Sequence, residues 1–468
     1  MSEGRAKNLV VLLWDELQRD TLGCYGGSVP TPTWDALAEQ GVVFDRYYCA
    51  NPLCVPTRPS MAGGKWPHAH GSLSFGQGYQ TMNVGEEIIF DRLLDAGYHL
   101  GYEGIWHITR AAEDDRSEEF AHFDSTGFCR EQFKEVLAAA GGKDGDQAAA
   151  CTFVADDGIR EASLSIPLPM RWSGPVEEHA DMVRALNIAE FIRNAPADKP
   201  FAAWHSCGIP HPPLLVPDEY MDLFDAADME PPPGFGQDRS DMPEAVAEAP
   251  GHQVVADWDW DRWAPAVAAY YGFVAFGDAC HKVVLDALEE SGRADDTLVI
   301  MTCDHGEMLG SHSMYQKGCM YDEAILLPFV IAGAGIEPGR RDQLSSQTDM
   351  APTVLELLDL PALTEAQGRS LVPVLRDGNT AGPQYTFSEF NGQIDGGFKE
   401  RCCISARYKY AYYHGDPQDQ LFDLEKDPDE LHNVARDPAC ALVREEMRAA
   451  LAEWMKATDD YIEPRWPE

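Results

Sequence analysis

Two apolar runs that end in acidic residues limit what this chain can fold into. Asn8 to Trp14 is apolar after its first residue and ends in Asp15; Thr297 to Cys303 is nearly so and ends in Asp304-His305. A short run without polar alternation predicts a strand buried on both faces, as in parallel sheets covered by helices on each side. Phe201 to His205 is a third such run, ending in the Pro-rich turn Ile209 to Pro213, and Val42 to Tyr48 reads as a further strand. Helical patterns lie between them: Thr33 to Gln40, closed by Gly41; Glu86 to Ala96, stopped at Gly97; and Ala266 to Glu290, ended by Ser291-Gly292. This alternation predicts an α/β fold with a large, mostly parallel sheet sandwiched by helices. Ligands in such sheets bind beyond the carboxyl ends of the strands. Asp15, Asp304 and His305 all occupy that position, which is the physical reason to group them.

The 468 residues suffice for one large α/β domain and a smaller one. A Gly- and Pro-bearing stretch from Arg376 to Pro383 marks the expected boundary, with a large domain at 1–378 and a small α+β subdomain at 379–468. In the second part, Cys402 to Ser405, Lys409 to Tyr413 and Leu421 to Leu424 read as strands of a small antiparallel sheet. Ala441 to Ala457 reads as a final amphipathic helix. Glu103 to Arg171 and Asp218 to Asp261 are loop-rich and read as decoration around a site. The run Trp258-Asp259-Trp260-Asp261-Arg262-Trp263 reads either as a substrate wall or as a packing or subunit-contact surface.

The formal net charge of -42 disfavours nucleic acid and anionic membranes as partners, because phosphate binding needs basic clusters. An anionic substrate then needs a local positive island made by a metal and a few cations. No stretch approaches ~20 apolar residues, so no membrane span is expected. The polar start, Met1 to Lys7, lacks the pattern of a signal peptide, which predicts a cytoplasmic protein. Twelve cysteines are scattered without zinc or disulfide spacing and read mostly as buried free thiols.

Two carboxylates and an imidazole at Asp15, Asp304 and His305 suit one divalent cation. Oxygen ligands favour Ca²⁺, Mg²⁺ or Mn²⁺, and the histidine tilts the choice towards Mn²⁺ without deciding it. Glu16 is an additional ligand candidate, and Asp15 taken alone reads as a helix cap. Cys54-Val55-Pro56-Thr57-Arg58 forms a Cys-x-Pro-x-Arg motif. Pro56 suits a first helical turn, whose N-terminus adds partial positive charge, and Arg58 lies one turn on. His107 near a strand end could take a proton, and His211 in Pro210-His211-Pro212 could supply one to a leaving oxygen. Lys317, in a Gly-flanked loop, could clamp a transferred anionic group.

With those residues laid out, the chain resembles the type I sulfatase family of the alkaline-phosphatase superfamily nearly end to end. Cys54 to Gly71 matches the nucleophile region, including Pro67-His68-Ala69-His70-Gly71. Pro210-His211, Asp304 to Gly310, Lys317-Gly318, Gln347 to Thr353 and Gly368 to Leu371 match later blocks. Tyr408-Lys409-Tyr410 and Leu421 to Leu424 match the family's small C-terminal part. The resemblance implies that Cys54 is oxidised by a formylglycine-generating or sulfatase-maturating enzyme to formylglycine. The hydrate of that aldehyde attacks a small-molecule sulfate ester with one hydroxyl and expels the inorganic group through the other. It further implies that Asp15, Cys54, Asp304 and His305 hold the metal. Arg58 and His107 would tend the hydrate, and His211 and Lys317 would bind the sulfate and the leaving oxygen. A homo-oligomer is expected.

Three departures stand out. Ile105 occupies a position where the family often has lysine, so the site has one cation fewer. Relatives acting on phosphonate monoesters and phosphodiesters share that absence, and Asp304-His305 resembles the branch holding choline sulfatases and phosphonate monoester hydrolases; hydrolysis of phosphonate monoesters or phosphodiesters is the alternative. The asparagine often found beyond the cysteine helix has no clear equivalent, with Ser72, Ser74 or Gln77 as substitutes. Glu16 stands where many sulfatases have a second aspartate.

Overall fold

A computed structural model describes residues 6–76, 78–125, 132, 135, 143–144, 150–155, 158–163, 167–238, 242–247, 253, 255–392 and 398–467. Its centre is a nine-stranded sheet. In chain order the strands are β1 (Asn8–Asp15), β2 (Val42–Tyr48), β3 (His99–Gly104), β4 (His122–Asp124) and β5 (Phe201–Pro210), followed by β6 (Thr297–Cys303), β7 (Leu326–Gly333), β8 (Gly339–Arg341) and β9 (Ser345–Ser346). The order across the sheet is β8-β2-β7-β6-β1-β5-β3-β4, with β9 also on β2. β1 pairs in parallel with both β6 and β5, and β5 with β3. Only β7 runs against its neighbours β6 and β2.

β1 explains the layering. Leu9, Val11 and Leu13 point into one core, with Ile89 and Phe90 of the helix Ile89–Asp95 and Met350 and Val354 of Met350–Leu357. Val10, Leu12 and Trp14 point into the other, against Ile188 and Ile192 of Ala180–Arg193 and Phe273 and Phe276 of Trp260–Glu290. Both faces are therefore covered, and fully burying each large side chain stabilises the fold by about 1.5–3 kcal/mol. Asp15, Pro210 and Cys303 end three adjacent strands in one direction and open the carboxyl edge where the site forms. At the end of β3, Gly104 has a φ of 109°, and a Cβ there would lie 1.9 Å from the Ser206 carbonyl oxygen. Only glycine allows this approach of β3 to β5.

A second sheet is antiparallel, with four strands β10 (Tyr385–Phe390), β11 (Glu400–Ser405), β12 (Tyr408–Tyr413) and β13 (Gln420–Asp423) in that order. The helix Ala441–Ala457 packs on it through Met447, Leu451 and Trp454. Trp454 also meets Trp66 edge-on, with ring centroids 5.1 Å apart, so this sheet and helix press against the chain that follows the cysteine motif.

Several expectations need correction. The tryptophan run is packing and not a substrate wall. Asp259 caps the long helix by accepting from the Arg262 N–H at 3.2 Å, Trp258 and Trp263 are buried, and Trp260 donates to the Met229 carbonyl at 3.0 Å. That helix begins at Trp260, one and a half turns before the expected Ala266, and contains Pro265. Asp15 caps no helix; the next turn, Arg19–Thr21, starts from Gln18. β7 and β10 had no counterpart in the sequence reading. Much of the loop-rich span from Glu103 to Arg171, and Gln77, lie outside the described residues.

Candidate active site

Cys54 is the first residue of the helix Cys54–Gly63, and every residue of that helix is buried. Pro59, inside it, cannot bond the Val55 carbonyl, and Ser72 Oγ lies 3.5 Å from that oxygen instead. The helix directs Arg58 under the strand tips. There the guanidinium reaches Asp304 Oδ2 from Nε (3.0 Å) and Asp15 Oδ2 from Nη2 (2.8 Å). From Nη1 it reaches the Ile105 carbonyl and Ser206 Oγ, each at 2.6 Å. Arg58 is thus placed as the fixed counter-ion of two carboxylates.

The ligand-type atoms of Asp15, Cys54, Asp304 and His305 all lie within 4.8 Å of one another, and all four residues are buried. Burial and the neighbouring Asp304 push the Asp15 carboxyl well above its usual range, against the pull of Arg58. Burial also acts on Asp304, but His305, Arg58 and the Glu16 N–H outweigh it and hold that carboxyl down at about 2. Burial lowers His305 to about 4, so its ring is neutral at pH 7. Its Nδ1 lies 3.1 Å from the Gly306 carbonyl, which places the proton on Nδ1 and leaves the Nε2 lone pair facing the acids. Burial, with Asp15 and Asp304, pushes the Cys54 thiol well up.

This donor set fits a divalent cation. Asp15 Oδ1 and His305 Nε2 are buried and have no hydrogen-bond partner. Two such atoms 4.0 Å apart, beside a second carboxylate, are costly in a purely protein environment and are satisfied by a cation. Oxygen and imidazole donors match Mn²⁺, Ca²⁺ or Mg²⁺ and do not choose among them.

Two of the other predicted residues fall beside this centre. Lys317 and His211 are buried and meet at Glu16: Lys317 Nζ bonds Glu16 Oε2, and His211 Nε2 lies 3.1 Å from the same oxygen. Glu16 and its neighbours hold the Lys317 ammonium above its usual value despite burial. His107 lies three residues beyond the end of β3, with a φ of 49° and its ring 5.8 Å from that of Phe75. Phe75 and Tyr79 are among the exposed large apolar side chains. Ile105 is buried, and its carbonyl accepts from Arg58. Ser72 donates to the Gln80 carbonyl at 3.0 Å.

Gln347 was missed as an individual residue. Its Oε1 accepts from the Ala50 N–H at 2.9 Å and from Thr57, while Nε2 donates to the carbonyls of Cys303 (3.1 Å) and Asp304 (2.6 Å). One buried amide thereby ties the cysteine helix to the tip of β6. The block Gln347 to Thr353 was the available signal.

Residues 7–360 match the sequence profile described as Sulfatase, about three quarters of the chain. The chain belongs to the sulfatase family. It is accordingly a sulfuric ester hydrolase by family. Residues 310–457 match a second profile, the C-terminal region of N-sulphoglucosamine sulphohydrolase. An arylsulfatase of Clostridium perfringens is 25% identical over 452 residues, covering 91% of this chain and 90% of its own. A multifunctional alkaline phosphatase superfamily protein of Trinickia caryophylli is 31% identical over 296 residues, covering 54% of this chain and 55% of its own. In structure, the phosphonate monoester hydrolase of Agrobacterium radiobacter superposes with a TM-score of 0.79 at 24% identity, covering 97% and 96% of the two chains. That likeness establishes the alkaline-phosphatase-like fold alone. No helix among the described residues is long and apolar enough to cross a membrane.

Proposed function

We propose that this sulfatase hydrolyses small sulfate esters with a formylglycine nucleophile made from Cys54 and one divalent cation held by Asp15, residue 54, Asp304 and His305. The observation that carries the reading is the convergence of those four side chains at the strand tips, with two of their donor atoms buried and unpartnered. The cation supplies charge neutralisation for the ester oxygens and lowers the pKa of a bound hydroxyl. The hydrated aldehyde supplies two hydroxyls on one carbon, one to attack sulfur and one to release the inorganic group when it loses its proton. Maturation therefore requires an enzyme that oxidises Cys54.

The chain's own residues do the rest. Arg58 orients Asp15 and Asp304 and favours their charged forms. His107 accepts the hydroxyl proton that releases the product. Lys317 binds the developing negative charge on the transferred group. His211 has Nδ1 on the Pro212 carbonyl at 2.6 Å and Nε2 beside the Glu16 carboxylate. A proton lies on that second contact, and it serves the leaving oxygen.

A second reading, hydrolysis of phosphonate monoesters or phosphodiesters by the same nucleophile, is favoured by Ile105. A sulfate monoester and a phosphodiester each carry one negative charge on a tetrahedral centre, so charge alone does not separate them. The test is a panel of sulfate, phosphodiester and phosphonate esters of one phenol, on metal-loaded protein with a verified aldehyde. The sulfate reading predicts the highest kcat/KM on the sulfate. A diester preferred by orders of magnitude transfers the function to the second reading.

A further inference from the structure

Glu16 follows Asp15 directly, and its backbone is held on every side. Its φ is 65°, a left-handed conformation that residues other than glycine rarely adopt and that often marks a functional position. Its N–H donates to Asp304 Oδ1 at 3.1 Å. Its carbonyl accepts from Tyr270 Oη at 2.7 Å, and that hydroxyl accepts from the Gln18 N–H at 2.8 Å. The next residue, Leu17, donates its N–H to the His305 carbonyl at 3.1 Å.

This strained turn keeps the side chain near Asp15 but outside the cluster that Asp15 forms with Cys54, Asp304 and His305. Glu16 is fully buried, yet it groups with Asp15 and His211 and not with Cys54, Asp304 and His305. A single oxygen, Oε2, receives Lys317 and lies against His211. Beside it, Glu307 is fixed at Oε1 by the N–H groups of Leu309 (2.8 Å) and Gln316 (2.7 Å). A buried acid thus stands behind Lys317 and His211, and neither is left to find its own position.

We propose that Glu16 is a positioning residue for the leaving-group side: it presents Lys317 and His211 as one fixed pair to the ester and stays outside the metal's ligand set. This rests on the ester-hydrolase reading above. The bond between sulfur and the leaving oxygen breaks as that oxygen gains its proton at the paired side chains; Glu16 neither gives nor keeps one. Esters with poor leaving groups depend on that proton, whereas esters of acidic phenols do not. Glu16 therefore sets how far into alkyl esters the enzyme reaches.

The experiment compares wild type and Glu16→Gln, both metal-loaded and aldehyde-verified, on aryl sulfates of graded phenol acidity and one alkyl sulfate. Metal stoichiometry and a crystal structure of the metal-loaded wild type accompany the kinetics. The expected result is one metal per chain in both proteins. On the alkyl ester, kcat falls about 100-fold, in the range for loss of acid catalysis, while the nitrophenyl ester loses only the smaller factor that a displaced Lys317 costs every ester. Glu16→Asp, which keeps the charge on a shorter arm, recovers part of the alkyl-ester rate. A Glu16 oxygen bound to the ion, loss of metal in Glu16→Gln, or an equal loss for every leaving group overturns the proposal. Should wild type leave sulfates intact but cleave phosphodiesters, the sulfate reading fails by itself, and the same leaving-group series on diesters decides the role of Glu16.

Discussion

Arg58 sits between two buried carboxylates and carries their charge, with Asp15 at 2.8 Å and Asp304 at 3.0 Å. Removing one partner of a buried ion pair strands the other in a medium that solvates it poorly. Arg58→Met is therefore expected to lose about 3–5 kcal/mol of stability in metal-free protein. A divalent cation neutralises the same acids, so adding Mn²⁺ should recover much of that loss. Urea unfolding with and without the ion checks this; a loss that the ion leaves untouched contradicts the shared-site account. At this scale the sequence was a good guide to position and a poor one to partners. Asp15 and the Asp304-His305 pair were legible because each ends an apolar run. The Ile105 carbonyl, Ser206 and Gln347 were not, because their contacts with Arg58 and with the cysteine helix span from 47 to 290 residues of chain.

Among the elements, the turn Pro67–His70 and the end of the C-terminal helix are joined by one histidine. His68 Nδ1 bonds Glu389 of β10, and Nε2 lies 3.1 Å from the Thr458 carbonyl just beyond the helix Ala441–Ala457. Two acceptors on one ring call for an imidazolium, which also suits a helix C-terminus. Arg401 holds Asp460 beside them, and Asn391 donates to Glu389 at 3.0 Å. Burial opposes the charge on His68, but Glu389 outweighs it and raises the imidazole above its ordinary value. Burial likewise opposes the charge on Glu389, yet His68 and Arg401 bring that carboxyl down to about 2. The histidine's contribution is complete below its unfolded value near ~6.5 and disappears as pH rises through the higher folded value. The glutamate's is complete above ~4.3 and disappears as pH falls towards the folded value. His68→Gln should thus cost about 3 kcal/mol near pH 6 and progressively less in alkaline buffer. Unfolding curves across that range test it; a pH-independent difference removes the imidazolium from the explanation. Other elements show where pattern reading stops. β7 was missed because Pro328 interrupts its apolar run and no polar alternation marks an antiparallel strand. The start of the long helix was missed because Pro265 resembled a boundary, when helical spacing in fact carries Trp263 into the core.

For the whole molecule, a net charge of -42 surrounds a site that takes anions. The long-range field repels the substrate, and the positive island acts only once the ester has arrived. Screening shortens that field from a Debye length of about 30 Å at 0.01 M salt to about 8 Å at 0.15 M. KM for an anionic ester is therefore expected to fall severalfold over that interval, with kcat little changed. Initial rates in a salt that does not bind the site measure it, and a KM that rises with salt contradicts the repulsion. The alternation of strands and helices made the three-layer architecture readable from the sequence, since both faces of β1 had to be covered. The charge indicated only which partners to exclude.

The proposed hydrolysis depends on the chemical state of residue 54. As cysteine, this side chain offers one sulfur, raised in pKa by burial and two acids; as formylglycine, it offers the hydrate that the proposed reaction uses. The direct measurement is the mass of the peptide containing position 54 in active protein from its native host, paired with turnover of Cys54→Ser. The predicted result is a peptide in which one oxygen has replaced the sulfur and two hydrogens, with steady-state turnover lost in the serine variant. An unmodified thiol in a fully active enzyme, or full turnover with serine at position 54, would contradict it.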